Sequence, residues 1–399
     1  MNILERFKKY IAIDTMSDDN SNSIPSTNTQ LEFGKILVND LKEIGLDNAY
    51  QDEYGYIYGK IDVQKEKTIG LIAHMDTSSA FKGGVKNTLL IKNYEGQEVT
   101  LESNDKLNIE GFPVLHDVIG DDLLFTDGKH LLGGDDKAGI VIIFEILQYF
   151  LKHKEELNYN LAICFTVDEE IGRGPLKFET KKMGADVAFT LDGESIYEAN
   201  IENFNASKAE VIIEGINVHP GSAKDLMVNS ILCAMEFNNL LPKDMIPEKT
   251  SDHEGFIHLE EIKGDVNKTT LSYIIRDHDE KLLEMKKEML IKAKDEILKR
   301  HPKAKISLSI VDEYKNMFNY FLSHREAIDL INKAYLISNK KLSYTPIRGG
   351  TDGATITYMG LPCPNLGVGD FNPHGKYEFV SITQMGEMVN IVKNLLKLK

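Results

Sequence analysis

Two adjacent carboxylates, Asp135 and Asp136, follow a pair of glycines and precede a strongly apolar stretch. The glycines allow a sharp turn, and residues 140–151 are apolar on nearly every side, which predicts a buried helix. Acids at the start of a helix are commonly caps that favour its positive end. Two carboxylates beside a buried helix are nevertheless unfavourable without a cation close to them. The pair is therefore either a helix cap or part of a cation site.

Three other short apolar runs end in residues that can bind metal ions. Residues 68–73, 161–167 and 187–191 are predicted to be buried strands of a parallel sheet, because each is short and almost wholly apolar. Ligand sites of open α/β sheets lie at the carboxyl ends of the strands, so the residues after these strands are expected to converge. Histidine and carboxylate side chains there suit a divalent metal ion. The residues are His74 and Asp76, then Asp168, Glu169 and Glu170, then Asp192.

The composition is that of an ordinary globular protein, with 42% hydrophobic and 27% charged residues. A length of 399 residues is too great for one simple core and predicts two domains. The formal net charge of −16 argues against nucleic acid and anionic membrane surfaces as partners, because both favour a basic patch.

The sequence also lacks the features of a secreted or membrane protein. No apolar stretch is long enough to cross a bilayer, and residues 1–10 lack the apolar core of a signal peptide. The three cysteines are widely spaced in apolar surroundings, which predicts reduced, buried thiols. We therefore expect a cytoplasmic protein. The cysteines are Cys164, Cys233 and Cys363.

The order of predicted elements indicates that one domain is inserted into another. From Tyr54 to Leu191, short apolar strands alternate with helices, which is typical of a mostly parallel sheet with helices on both faces. The order β-α-β-β-α-β follows, as in ferredoxin-like α+β domains, and then the α/β pattern returns. The predicted boundaries are 1–205 and 318–399 for the larger domain and 206–317 for the inserted one.

Three local features are predicted more closely. Thr27 and Gln30 have the spacing of a capping box at the start of a surface helix. A helix is expected over Ser222–Leu241 in the inserted domain. The polar passage Gly83–Gly128 interrupts the α/β alternation and is expected to be an insertion beside the site.

Five side chains are enough to bind a pair of metal ions. A pair of zinc ions needs about four to five imidazole and carboxylate ligands with a shared bridge. Two ions roughly 3.5 to 4 Å apart can clamp a water molecule, lower its pKa and polarise a carbonyl group. The candidate ligands are His74, Asp135, Glu170, Asp192 and His374.

Glu169 is the candidate for the base that takes a proton from this water without binding metal. It lies beside Glu170 at a predicted strand end, where neighbouring side chains point to different sides. Each motif also has a structural alternative. His74 and Asp76 have the spacing of an ordinary hydrogen-bonded pair, and Asp168 to Glu170 that of a solvated turn.

Eight motifs along the chain resemble those of the tripeptide aminopeptidases in the di-zinc metallopeptidase family that includes carboxypeptidase G and aminoacylase. The resemblance runs in order from the first helix to the last. The motifs are Ala73–Thr77, Leu132–Gly139, Thr166–Gly174, Asp192–Gly193, Asn217–Gly221, Ile275–Asp277, Arg348–Ala354 and His374–Val380.

The resemblance implies a catalytic domain with an inserted lid domain, and it implies roles for the residues that match the motifs. Asp76 is expected to orient His74, and Glu169 to be the general base. His219 matches a lid histidine that reaches the neighbouring subunit's site in related dimeric enzymes. The metal ligands implied are His74, Asp135, Glu170, Asp192 and His374, with Asp135 bridging.

Arg276 and Arg348 are expected to bind the carboxylate of the substrate, because a planar guanidinium suits bidentate carboxylate contacts. Structural ion pairs are the alternative for both. The resemblance further implies two zinc ions per subunit. Manganese or cobalt is left open, because Glu194 adds an acid where the family often has glycine.

The implied function is the release of the N-terminal residue from tripeptides, with a homodimer left open. A carboxypeptidase or N-acyl amino acid hydrolase would use the same metals, but the Arg348 and His374 segments disfavour it. An inactive peptide-binding scaffold is the non-enzyme alternative, and the presence of Glu169 disfavours it.

Overall fold

A computed structural model describes all residues, 1–399. The chain divides into two compact units. The first comprises residues 1–201, 319–345 and 351–399, and the second comprises residues 202–318 and 346–350. The predicted boundaries assign residues 346–350 to the larger domain, whereas this segment clusters with the second unit.

Ten α-helices and eighteen β-strands are numbered here in chain order. The helices are α1 (Ile3–Ile11), α2 (Asn28–Glu43), α3 (Gly134–Lys152), α4 (Thr180–Met183), α5 (Ser230–Leu240), α6 (Glu280–Arg300), α7 (Phe318–Phe321), α8 (Glu326–Ile337), α9 (Asp352–Tyr358) and α10 (Ile382–Leu396). The strands are β1 (Tyr50–Gln51), β2 (Ile57–Ile61), β3 (Thr68–His74), β4 (Leu89–Ile91), β5 (Val99–Thr100), β6 (Lys106–Leu107), β7 (Leu123–Phe125), β8 (Asn160–Thr166), β9 (Val187–Gly193), β10 (Glu198–Asn200), β11 (Asn205–Glu214), β12 (Phe256–Gly264), β13 (Lys268–Asp277), β14 (Lys305–Tyr314), β15 (Ser343–Tyr344), β16 (Asn365–Gly367), β17 (Asp370–Phe371) and β18 (Phe379–Ser381).

The first unit is built on an eight-stranded sheet of order β1-β2-β8-β3-β9-β16-β10-β15. Its centre is parallel, because β3 pairs in parallel with β8 and β9, and β9 with β16. Every residue of β3 and β8 is buried, as expected for strands covered on both faces. The predicted mostly parallel α/β sheet is confirmed.

Helix α3 packs against β3 and provides a rigid base for the acids at its start. Almost all of its aliphatic side chains are buried, and each contributes roughly 1.5–3 kcal/mol to stability. Gly133 precedes it with a φ of 77°, a left-handed conformation that glycine adopts without strain. Asp135 and Asp136 have non-helical backbone angles, so the regular helix begins after them.

The polar passage Gly83–Gly128 contributes β4 to β7. Two of these strands, β4 and β7, join β17 and β18 in a four-stranded sheet of order β17-β18-β7-β4. This sheet has its own apolar core, which includes Tyr94, Phe125, Phe371 and Phe379. The passage therefore anchors β18, the strand that follows His374.

The second unit has the predicted ferredoxin-like order, β11-α5-β12-β13-α6-β14, with an antiparallel sheet ordered β12-β13-β11-β14. The prediction of a helix from Ser222 is wrong, because α5 begins only at Ser230. The side chain of Asn229 accepts hydrogen bonds from the N–H groups of Ile231 and Leu232, and this cap sets the start of the helix.

The capping box predicted at Thr27 and Gln30 is also absent. The side chain of Thr27 accepts no backbone N–H at the start of α2. Its hydroxyl oxygen accepts a hydrogen bond from the side-chain amide of Gln30 at 3.2 Å. The amide of Gln30 also donates from Nε2 to Asp168 Oδ1 at 2.7 Å, and Gln30 Oε1 accepts the N–H of Asp168 at 3.1 Å. The oxygen of Gln30 that a capping box would place on the backbone N–H of Thr27 is therefore bound to the N–H of Asp168.

Two further predictions from the sequence concern the cysteines and the absence of a membrane-spanning segment. All three cysteines are free and buried, as predicted. None of the helices combines the length and the apolar character that a membrane span requires.

Candidate active site

Asp135 lies between two histidines and is shared by two groups of side chains. Its Oδ1 is 2.8 Å from His74 Nε2, and its Oδ2 is 3.2 Å from His374 Nε2. His74 Nε2 is also 3.4 Å from Asp192 Oδ1. On the other side, His374 Nε2 is 2.9 Å from Glu170 Oε2. The structure thus brings together all five residues predicted as metal ligands.

Three neighbouring strands carry most of these side chains. His74 ends β3 and Asp192 lies near the end of β9, which is parallel to it. Glu169 and Glu170 follow β8 on the other side of β3. They lie in a 3₁₀ turn, Glu169–Ile171, and not on a strand end. The geometry of this turn, and not strand alternation, therefore sets the directions of the two side chains.

Asp76 links the end of β3 to this turn. Its carboxylate is fully buried and accepts the N–H of Glu169 at Oδ1 (3.0 Å) and the N–H of Glu170 at Oδ2 (3.2 Å). Asp76 Oδ1 is also 3.4 Å from His74 Nδ1. One carboxylate therefore contacts the imidazole and holds the backbone of both glutamates.

Asp136 makes the capping contacts that are the structural alternative for this acid pair. Its Oδ1 accepts the N–H of Gly139 at 3.0 Å, inside α3. Its Oδ2 accepts the N–H of His74 at 3.1 Å. Asp136 therefore joins the start of the helix to the end of β3, while Asp135 faces the histidines.

Asp168 holds the polar loop that precedes α2. The side chain is fully buried, and its Oδ2 accepts the N–H of Ser26 at 2.7 Å while Oδ1 accepts the Ser26 hydroxyl at 2.5 Å. Arg173, from the same turn region, donates to the carbonyl oxygens of Ser21 (2.6 Å) and Asp19 (3.2 Å). The alternative of a solvated turn is therefore wrong for Asp168.

Two further buried carboxylates belong to this region, and sequence reasoning did not single them out. Glu378 accepts three backbone N–H groups at the start of α3. Asp352, the first residue of α9, accepts the hydroxyl of Thr166 at 2.9 Å. Both residues lie inside motifs that were recognised in the sequence, Arg348–Ala354 and His374–Val380. The presence of an acid within such a motif could have identified them.

Burial and mutual repulsion raise the pKa values of two carboxyl groups of the site, Glu170 and Asp192. Burial would also raise the pKa of Asp135, but hydrogen bonds to His374 and His74 hold it well below its usual value. Burial, with a contribution from the charge of Asp135, raises the pKa of Glu170 to about 7 and the pKa of Asp192 to about 6. Burial would lower the pKa of His74, but Asp192 and Asp135 together raise it well above its usual value. Hydrogen bonds to Asp135 and Glu170 raise the pKa of His374 to about 10.

This set of donors fits divalent cations. Ligand atoms of His74, Asp135 and Glu170 lie within 4.8 Å of one another, and so do those of His74, Asp136 and Asp192. The buried Oε1 of Glu170 has no hydrogen-bond partner, which is costly for a carboxylate oxygen unless a cation binds it. Imidazole and carboxylate ligands are those that zinc and similar ions take.

The three predicted substrate-binding residues lie in the second unit. His219 is exposed, and its Nδ1 accepts the N–H of Gly221 at 3.1 Å within the turn. Arg276 pairs with Glu313 at 3.1 Å and donates to the carbonyl oxygen of Ser207 at 3.2 Å. The ion pair with Glu313 lies inside the second unit, and it is the contact that the structural role of Arg276 requires.

Arg348 also makes contacts inside the second unit. Its Nη1 donates to the carbonyl oxygens of Asp252 and Glu254, both at 2.8 Å. Its Nη2 donates to the hydroxyl and the carbonyl oxygen of Thr250, at 3.0 and 3.3 Å. The guanidinium lies 5.1 Å from the centre of the Phe204 ring. Arg348 therefore holds the loop 250–254 through backbone contacts.

A mostly parallel α/β sheet with histidines and carboxylates converging at the carboxyl ends of its strands has the arrangement of a metal-dependent hydrolase. Residues 130–398 match peptidase family M20/M25/M40. The protein named Peptidase T of Clostridium botulinum strain 657 is 43% identical, over 99% of this chain and 98% of the relative. The chain belongs to this peptidase family, and it is a metallopeptidase.

Solved structures share the fold. The aminopeptidase PepT from Bacillus cereus ATCC 10987 matches with a TM-score of 0.76 and 18% identity, covering 99% of this chain and 97% of that one. A tripeptidase from Staphylococcus aureus Mu50 matches with a TM-score of 0.77, the same identity and the same coverage. The resemblance inferred from the motifs is confirmed.

Proposed function

We propose that the protein is a tripeptide aminopeptidase that uses two divalent metal ions. The observation that carries this proposal is the position of Asp135, whose two carboxylate oxygens face different histidines. A carboxylate shared in this way is the bridge that a pair of metal ions requires. The names of the relatives, Peptidase T, aminopeptidase and tripeptidase, support the choice of substrate.

The ligands are proposed to divide into two sets around the bridge. His74 and Asp192 would hold one ion, and His374 and Glu170 would hold the other, with Asp135 contributing to both. When bound, such ions lower the pKa of a water molecule and polarise the carbonyl group of the scissile peptide bond. Zinc is the proposed metal, with manganese or cobalt as substitutes, since all take these ligands.

Glu169 is proposed to be the general base. Burial raises the pKa of its carboxyl group well above the usual value, which suits a group that must accept a proton and later release it. The N–H of Glu169 is held by Asp76, so the side chain starts from a fixed backbone. Its carboxylate would take the proton of the attacking water and pass it to the leaving amine.

Substrate binding is proposed for His219, Arg276 and Arg348. The arginines would hold the terminal carboxylate of the tripeptide, and the histidine would donate to the carbonyl oxygen in a partner subunit of a homodimer. The contacts of Arg276 with Glu313, and of Arg348 with the loop 250–254, support the structural alternative for each arginine. We also propose that the protein works in the cytoplasm.

The alternative activities differ in which end of the substrate the enzyme recognises. A carboxypeptidase or an N-acyl amino acid hydrolase would cleave substrates that lack a free amine, and an inactive scaffold would cleave nothing. An assay with a tripeptide, its N-acetyl form and the matching dipeptide separates these activities. Each substrate is tested with the metal-loaded protein and with protein stripped by a chelator.

We expect hydrolysis of the free-amine tripeptide alone, its loss on chelation, and its return when about two ions per chain are restored. Full activity with one ion per chain would contradict the paired metal centre. Hydrolysis of the N-acetyl form at a similar rate would contradict the aminopeptidase.

A further inference from the structure

Glu378 is a fully buried acid whose side chain contacts the turn that carries Asp135. Its Oε2 accepts the N–H of Gly133 at 2.9 Å. Its Oε1 accepts the N–H of Gly134 at 2.6 Å and the N–H of Asp135 at 3.2 Å. Three consecutive backbone donors at the start of α3 are therefore satisfied by one carboxylate that lies 243 residues away from Asp135 in the sequence.

The helix itself does not fix the backbone of Asp135. Its φ and ψ angles, −80° and 106°, are outside the helical range. The first N–H groups of a helix also have no partner within the helix. The contact with Glu378 is thus the hydrogen bond that holds the N–H of Asp135, and it aims the acid that lies between His74 and His374.

The position of Glu378 is itself fixed by the strand that follows it. It directly precedes β18, in which Phe379 pairs with Phe125 of β7 inside an apolar core. His374 lies four residues earlier on the same segment, and its Nε2 is 3.2 Å from Asp135 Oδ2. The segment that carries one histidine of the site therefore also carries the clamp on the Asp135 turn.

The turn at Gly133 and Gly134 is packed so closely against its neighbours that its backbone has little room to move. A Cβ atom added at Gly134 would lie 2.0 Å from Asp370 Oδ1 and 2.7 Å from a methyl group of Val380. The turn is thus packed against β17 and β18 on one side and tied to Glu378 by its N–H groups. A small displacement of this turn would move Asp135 relative to both histidines.

We infer that Glu378 is a positioning residue for Asp135, which sets the relative position of the two halves of the metal centre. This inference rests on the proposed function. Outer partners of metal ligands typically change metal affinity by about 10- to 100-fold when they are substituted. A residue that only stabilised the fold would instead lower the melting temperature and leave metal affinity unchanged.

The test compares Glu378→Gln with a matched control, Asn160→Ala. Asn160 is also a buried residue of the first unit, and its side chain accepts the N–H groups of Val63 (3.0 Å) and Lys65 (3.1 Å). It lies at the start of β8, whereas the site follows the end of this strand. Both variants lose buried hydrogen bonds, but only Glu378→Gln disturbs the Asp135 turn.

Each protein is stripped of metal and titrated with Zn²⁺ against a chromophoric chelator, and its unfolding is followed by calorimetry. We expect the wild type to bind two ions, and Glu378→Gln to bind at least one of them about tenfold more weakly. Asn160→Ala should melt earlier with unchanged zinc affinity. Wild-type protein that binds fewer than two ions would contradict the proposed function itself.

Equal zinc affinity of Glu378→Gln and the wild type would overturn the inference alone. So would an equal loss of affinity in Asn160→Ala. If Glu378→Gln does not fold, Glu378→Asp, which keeps the charge but reaches less far, should show the same loss of affinity. Failure of both variants to fold, while Asn160→Ala folds, would make Glu378 a residue of folding and not of positioning.

Discussion

Asp76 accepts a hydrogen bond from the backbone N–H of Glu169 at 3.0 Å. The residue was expected only to orient His74, whose Nδ1 lies 3.4 Å from Asp76 Oδ1. The structure adds a second contact of the same carboxylate, which accepts the N–H of Glu170 at 3.2 Å. The backbone of the proposed base and of one proposed ligand therefore depends on this buried carboxylate, whereas His74 Nδ1 lies closer to the backbone carbonyl oxygen of Asp76, at 3.1 Å.

The first prediction concerns Asp76→Asn. Asparagine keeps one acceptor but sets an NH₂ group against a backbone N–H, so the turn of Glu169 and Glu170 should shift. We expect kcat to fall by about 10- to 100-fold while the protein stays folded. Steady-state kinetics and circular dichroism measure both properties.

The matched control for this prediction is Asp186→Asn. Asp186 accepts the N–H of Thr68 at 2.8 Å, at the opposite end of the same strand, β3. This variant should keep its activity. Similar losses of kcat in Asp76→Asn and Asp186→Asn would mean that the effect is general destabilisation of β3.

The second prediction is that Glu169→Gln loses turnover but not metal. Glutamine preserves the shape of the side chain and removes the base, and general-base catalysis contributes about a hundred- to ten-thousand-fold. Metal content per chain and melting temperature should match those of the wild type. Glu179→Gln, which removes an exposed acid later in the chain, serves as the control. A fall of less than about tenfold would assign the base to another group.

The third prediction concerns the loop held by Asp168. Ser26 and Gln30 both donate to Asp168 Oδ1, at 2.5 and 2.7 Å. Hydrogen bonds to buried charged groups contribute about 1.5–3 kcal/mol, so Ser26→Ala and Gln30→Ala should each lower the free energy of unfolding by about that amount. Urea unfolding measures this change.

Because the two donors share one oxygen atom, the double variant should not lose the sum of the single losses. A coupling energy of about 0.5 kcal/mol or more is expected from the double-mutant cycle. Ser23→Ala, in the exposed part of the same loop, should change stability little. Strict additivity would show that the two donors act independently of each other and are not coupled through the shared oxygen atom.

The sequence predicted the features of the site that depend on local pattern. The runs before His74 and Asp192 are almost wholly apolar, and parallel pairing of their strands brings the ends together without further information. The roles assigned to these residues stay predictions. The ferredoxin-like order of the second unit was predictable for the same reason, because each element has its own periodicity.

Long-range polar contacts were not predictable in this way. Gln30 has the spacing of a capping box with Thr27, yet a buried carboxylate far along the chain competes for its amide and binds it. A buried charge without partners is unfavourable by several kcal/mol, whereas a helix cap contributes about 1 kcal/mol. The three N–H groups bound by Glu378 are a second case, since nothing local pairs them with that acid.

The fourth prediction separates the two roles open to Arg276 and Arg348. If either guanidinium binds the substrate carboxylate, replacement by lysine should weaken the hydrolysis of tripeptides far more than that of their C-terminal amides. If the arginine instead has a structural role, through Glu313 or through the loop 250–254, replacement should lower kcat/KM equally for both substrates. The melting temperature of the variant should then also fall. Values of kcat/KM on the paired substrates give the answer for each arginine separately.

The fifth prediction is that His219 acts in the active site of a partner subunit. The residue is exposed on a turn, and only its Nδ1 is engaged within that turn, by the N–H of Gly221. The other ring nitrogen, Nε2, is therefore able to donate to a carbonyl oxygen that develops negative charge. One such donor contributes roughly 3 kcal/mol to transition-state stabilisation. His219→Ala should lower kcat strongly with both metals still bound, and His258→Ala, a histidine elsewhere in the second unit, should not.

Subunit mixing tests where His219 acts. The variants His219→Ala and Glu169→Ala should each be nearly inactive alone. In a two-fold dimer, a mixed pair contains one site with both groups intact, so mixing should restore part of the activity. Native mass spectrometry of one isotope-labelled variant shows whether the subunits have exchanged. If exchange is complete and no activity returns, His219 serves its own chain or the protein works as a monomer.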